Sequence, residues 1–202
     1  MGISPRQFEQ MKQRLAGKTS GGKAKAEAIR VSEISRHQII LGVDPSLRGT
    51  GYGVIRLGKA HHEALAHGTI SIPATWEHSR CLVKIYQTLR DVIAEHKPTA
   101  CAMEGLFFAQ NLQTALIMGE ARGASMLAAG EAGLEVFEIS PRAMKLAIVG
   151  YGAAQKTAVA KMAQNLLRLA ELPDPDAADA LGLALAFAQE TGRFSLRPPK
   201  RI

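Results

Sequence analysis

The chain has 202 residues, 47% of them hydrophobic and 21% charged, with a formal net charge of +7. That length suits one domain with an appendage, and that apolar fraction suits an ordinary globular core. No run approaches the roughly 18 apolar residues of a membrane span, and the polar N-terminus lacks the apolar segment of an export signal, so the expected compartment is the cytoplasm.

The charge is uneven. Residues 1–38 hold eight Lys/Arg against three acids, residues 193–202 hold four Lys/Arg and no acid, and residues 39–192 hold 13 basic against 15 acidic residues. Basic arms at both ends suit a nucleic-acid binder, and they serve equally well as solubilising tails. The two cysteines, Cys81 and Cys101, lack metal-ligand spacing, and Cys101 reads as a small core residue.

The first segment predicts a short helix. Ser4 suits the N-cap, Pro5 the first turn and Gly17 the stop, with Phe8, Met11 and Leu15 on one face. Residues 18–37 read as a linker, with Ser20-Gly21-Gly22 followed by Lys23, Lys25 and Arg30. The expected organisation is therefore a basic N-terminal extension over 1–37, a globular domain over 38–190 and a basic C-terminal tail over 191–202.

From Ile39 the pattern changes. The run Ile39 to Asp44 predicts a buried strand, and a Gly-rich turn leads to a second over 51–56. A third covers about 62–72, and short connections make the three an antiparallel meander. A helix over 78–96 carries Leu82, Ile85, Leu89 and Ile93 on one stripe. A strand follows over 99–104, then a helix over about 112–129. Gly119 and Gly123 inside that helix imply close approach of a neighbour. Residues 134–137 predict a fifth strand. Ser140-Pro141 opens a short helix to Ile148, Lys156–Leu169 makes another, and Asp176–Gln189 makes the last. This succession predicts an α/β fold with a five-stranded mixed sheet flanked by helices.

Four acids stand out. Asp44 and Glu104 each end an apolar strand, where a carboxylate is costly unless its charge is compensated. Asp176 and Asp179 are three apart and share one face of the last helix. Either alone is explained by the helix dipole. If the four converge, they raise one another's pKa unless divalent cations neutralise them. That is the layout of a two-metal phosphodiester hydrolase. Lys145 and Lys156 flank the Gly150-Tyr151-Gly152 turn, with Arg142 close by, and together could line a phosphate track. Phe107 and Phe108 follow Glu104. Either could plug the core, or Phe107 could stack on an unpaired base or wedge a strand junction.

The motifs Leu41-Gly42-Val43-Asp44-Pro45 with Gly51-Tyr52-Gly53, Glu104 with Phe107 and Asn111, Gly119-Glu120-Ala121-Arg122-Gly123, and Asp176-Ala177-Ala178-Asp179-Ala180-Leu181 together resemble the RuvC family of Holliday junction resolvases. The resemblance runs from about Ile39 to Gln189. It implies an RNase H-like fold, a homodimer, and Mg²⁺-dependent paired nicks in four-way DNA junctions during recombination and repair. It implies two Mg²⁺ per active site, replaceable by Mn²⁺, on Asp44, Glu104, Asp176 and Asp179. Phe107 matches the family's aromatic at the junction centre. Lys145 and Lys156 match basic residues near the scissile phosphate, with Arg142 a further DNA contact, and the glycine-bearing helix matches the region where two subunits meet. A branch-migration helicase complex (RuvA and RuvB) is the partner the resemblance suggests. The chain departs from the family in Ser46, where Gly is usual, and in residues 1–37, which have no counterpart.

Other readings stay open on sequence. The Asp44 loop also resembles the phosphate loop of actin-like sugar kinases, whose second phosphate motif and adenosine motif are not found here. A member that binds junctions without cutting, and a nuclease for another branched or RNA-containing substrate, would present the same residues.

Overall fold

The computed structural model describes residues 37–105, 112–192 and 199–202. The expected N-terminal helix, almost all of the linker, Phe107, Phe108 and Asn111 lie outside the described residues.

Strands β1 (Ile39–Asp44), β2 (Gly49–Arg56) and β3 (Glu63–Ser71) form the predicted antiparallel meander. Helix α1 (His78–His96) follows, then β4 (Ala100–Glu104), α2 (Leu112–Glu131) and β5 (Glu135–Ile139). Helices α3 (Pro141–Val149), α4 (Lys156–Leu167) and α5 (Pro175–Gly192) complete the helical part. The sheet order is β3-β2-β1-β4-β5-β6, with β1, β4 and β5 parallel to one another.

The strand count differs from the expected five. Lys200–Arg201 forms a sixth strand, β6, antiparallel to β5, with Phe137 opposite Arg201 and Glu138 opposite Lys200. Arg201 also makes an ion pair with Glu135. Two basic residues carry no alternation, so this edge strand reads as tail in the sequence. Backbone pairing and one carboxylate hold it instead.

Strand alternation divides the side chains between two faces. Leu41, Val43, Cys101, Met103 and Val136 join Cys81, Ile85 and Leu89 of α1 and Ala121, Ala128 and Ala129 of α2 in one core. The opposite face of the sheet packs against α5, which runs along β1 and β2 and carries α3 and α4 on its flank. There Phe137 of β5 meets Phe187 of α5, ring centroids 4.8 Å apart.

Two glycines let α5 lie directly on the strands. A Cβ on Gly42 would fall 1.9 Å from the Ala180 carbonyl oxygen, and one on Gly51 2.0 Å from that of Asp176. The glycines of the first hairpin therefore do more than permit a turn. They set the height of α5, and with it the position of Asp176 and Asp179.

Gly119 and Gly123 of α2 behave differently from the close packing expected of them, and Gly130 behaves as they do. A Cβ on any of the three would meet nothing within 4 Å. They face outward beside the exposed Leu116 and Leu127. The neighbour that sequence reasoning expected is not among the described residues. No helix among the described residues is long and apolar enough to cross a membrane.

Candidate active site

Three elements deliver four carboxylates to one place. In the parallel β1–β4 register, Gly42 faces Ala102 and Val43 faces Met103, so the two strands end side by side at Asp44 and Glu104. Alternation turns both acids to the face that α5 covers, because Gly42, two residues before Asp44, is the residue touching α5. The N-terminal end of α5 then adds Asp176, in its first turn, and Asp179 at a helical spacing of three. All four line one open cavity of about 690 Å³ with Lys145 and Lys156.

Short-range sequence places the two lysines. Ser140 caps α3, its Oγ accepting from the Ala143 amide at 3.1 Å, with Pro141 in the first turn. That helix presents Lys145 to the cavity. Gly150, at φ 80°, ends it in the left-handed region. Lys156 opens α4 and reaches across to α5, its Nζ 3.5 Å from Asp176 Oδ1 and 3.4 Å from Asp179 Oδ2. Arg142 is not part of this group. It lines a neighbouring cavity with Leu146 and Tyr151. Residues not foreseen here are Arg48 and His78, which also line the main cavity. Arg48 is already engaged, donating to the Trp76 carbonyl at 2.9 Å and to Cys81 Sγ at 3.2 Å.

The electrostatics are those of crowded acids. Burial, then the Glu104 carboxyl beside it, push the Asp44 carboxyl up to about 8, against the opposing pull of Lys156. Burial also raises Asp179, offset by Lys156 and reinforced by Asp44. Burial disfavours the Lys156 ammonium, but Asp179 and Asp176 outweigh it and its pKa lies above the usual lysine value.

The donor set suits a hard divalent cation. It consists of carboxylate oxygens, and Asp179 Oδ1 is buried with no hydrogen-bond partner among the described residues. A proton on Asp44 and the ammonium of Lys156 supply the positive charge that a cation would bring. As the side chains stand, no group of three or more His, Cys, Asp and Glu among the described residues is arranged to hold a metal ion.

Residues 40–187 match the family model for the crossover junction endodeoxyribonuclease RuvC. The chain belongs to the RuvC family.

A crossover junction endodeoxyribonuclease RuvC from Akkermansia muciniphila is 45% identical over 161 residues, covering 80% of this chain and 93% of that relative. Among solved structures, a Thermus thermophilus RuvC in complex with a Holliday junction substrate matches with a TM-score of 0.73 at 30% identity. It covers 82% of this chain and all of that one. The yeast mitochondrial Holliday junction resolvase Ydc2 matches with a TM-score of 0.53 at 11% identity, over 76% of this chain and 80% of that one, a likeness of fold alone. The fold is accordingly RNase H-like. The RuvC match begins at Ile40, so it leaves the basic extension unaccounted for.

Sequence reasoning named one buried residue only as part of the Gly119–Gly123 motif and gave it no role. Arg122 lies on the inner face of α2 with Ala121, Ser125, Ala128 and Ala129. The available signal was a lone arginine on a face otherwise built of small residues.

Proposed function

We propose that this RuvC-family endonuclease resolves four-way DNA junctions by metal-dependent paired nicks in strands of like polarity, as part of recombination and repair. The carrying observation is the convergence of Asp44, Glu104, Asp176 and Asp179 on one cavity that Lys145 and Lys156 also line. Asp44, Glu104, Asp176 and Asp179 would hold the cations, two Mg²⁺ per site with Mn²⁺ able to substitute. When bound, such ions lower the pKa of a water and offset the charge that builds on the phosphoryl oxygens.

The protein's own groups do the rest. Lys145 and Lys156 attract and orient the scissile phosphate at the cavity mouth. Lys156 can serve there once its two aspartates are otherwise compensated. The proton held on Asp44 would leave as the site fills, because ligating carboxylates must be ionised. The close seat of α5 on Gly42 and Gly51 keeps the acids from drifting between turnovers, which pre-organises the site.

Paired cutting needs two sites. The outer face of α2 shows Leu116 at 59% and Leu127 at 62% exposure, with open space over the glycines between and beyond them. We assign this stripe to a second copy of the chain. A two-fold axis there presents two cavities to a two-fold junction. Residues 38–190 form the nuclease domain, Phe107 and Arg142 add DNA contacts, and the basic extension over 1–37 supplies auxiliary phosphate attraction.

Asp44→Asn tests the assignment. It should abolish cleavage in Mg²⁺ while junction affinity stays within about twofold. Normal cutting by this variant would remove Asp44 from the site, and a wild-type chain that binds junctions without turnover would make the protein a binder only.

A further inference from the structure

Arg122 is an expensive residue where it sits. Its side chain is 8% exposed, and a buried guanidinium is tolerated only when paired and hydrogen-bonded. One nitrogen meets Glu138 Oε2 on β5 at 2.7 Å. That pair alone would compensate the charge. Another nitrogen donates instead to the main-chain carbonyl of Glu104, the last residue of β4.

That carbonyl belongs to the peptide unit leaving Glu104. The other polar group of the same unit, the Gly105 amide, donates to the Ile139 carbonyl at 2.9 Å. Both ends of one peptide plane are therefore fixed, one by Arg122 and one by β5. A fixed plane fixes the backbone direction from which the Glu104 side chain departs. It does so at the last residue of β4, past the end of its pairing with β1.

We infer that Arg122 is a positioning residue, holding the Glu104 carboxylate in ligating position through its backbone. The inference rests on Glu104 being a cation ligand, as proposed above. It ties the active site to α2, whose outward face is the stripe assigned to the second subunit. Lys is a poor replacement, because a single ammonium cannot present the planar fork that reaches two acceptors on different strands.

The test uses the full chain and Mn²⁺ alone as probe, its affinity measured by electron paramagnetic resonance titration without DNA. Arg122→Lys and Arg122→Gln should bind Mn²⁺ about tenfold or more weakly, the usual effect of removing an outer partner of a ligand. Their junction affinity in Ca²⁺ should stay within about twofold of wild type, and their cleavage should recover as Mn²⁺ is raised. If Arg122→Gln fails to fold, Arg122→Lys decides alone. Wild-type Mn²⁺ affinity in a folded variant, whatever its melting temperature, would reduce Arg122 to a structural ion pair and overturn the inference. Glu104→Gln separates the two levels. If it binds Mn²⁺ weakly while the Arg122 variants bind normally, only the positioning role fails. If it binds normally, Glu104 is no ligand, and the site assignment fails with the inference.

Discussion

Gly51→Ala should disable the enzyme with little loss of substrate binding, because of where its one added carbon would go. That Cβ would lie 2.0 Å from the Asp176 carbonyl oxygen and 2.4 Å from its carbonyl carbon, whereas ordinary contact begins at 3.4 Å. The obstacle is backbone in the first turn of α5, which cannot swing aside as a side chain would. The helix end must retreat from β2 by roughly 1 Å or more, and Asp176 and Asp179 move with it. Overpacking of this kind costs about 1–3 kcal/mol, which a domain of ordinary stability survives. A displacement near 1 Å at a reacting centre costs on the order of 100-fold in rate. Single-turnover cleavage of a four-way junction in saturating Mg²⁺ should therefore fall about 100-fold, while junction affinity by gel shift stays within a few-fold. Urea unfolding should show the variant folded and about 1–3 kcal/mol less stable. A folded Gly51→Ala protein that cuts at the wild-type rate would refute the idea that the height of α5 sets the geometry of the site.

Three further outcomes are expected. The folded Asp44 carboxyl, at about 8, lies above its ordinary value of 3.8, so the folded state keeps a proton that the unfolded chain releases. Metal-free stability must then fall as pH rises from about 4 to about 8. Metal-free Asp44→Asn should consequently melt higher than wild type at pH 8, by an amount worth on the order of a few kcal/mol, and the advantage should shrink toward pH 4. Equal melting curves at pH 8 would deny the strain. Leu116→Glu, on the exposed stripe of α2, should shift the protein to monomer in sedimentation and cost paired cutting, and an unchanged mass would move the subunit contact elsewhere. Deleting residues 1–36 should weaken junction binding and flatten its salt dependence, and unchanged affinity at every salt concentration would make the extension passive.

Much of the fold follows from local pattern. The stripe Leu82, Ile85, Leu89 and Ile93 marks α1, although Cys81 rather than Leu82 completes its buried face, and the apolar run ending in Asp44 marks β1. Ser140-Pro141 marks the start of α3 because capping is chemistry within four residues. What stays hidden depends on long-range packing. The parallel pairing of β1 with β4 joins strands 60 residues apart, and only it explains why Asp44 and Glu104 meet. Gly42 and Gly51 look like turn or strand punctuation until α5 is laid over them. Arg122 is only one residue of a motif until its helix face is known to be the inner one. Arg142 is a further case. Near Lys145 in sequence, it lines a separate cavity with Tyr151. The two-residue strand β6 had no periodicity to read.

The most direct test of the central claim is strand-resolved mapping of cleavage in Mg²⁺ on a mobile four-way junction, beside linear duplex, a replication fork and an RNA–DNA hybrid, with Asp176→Asn as control. Symmetric, ligatable nicks on the junction alone, absent in the variant, are the predicted result. Preferential cutting of another substrate, or cutting that survives Asp176→Asn, would contradict it.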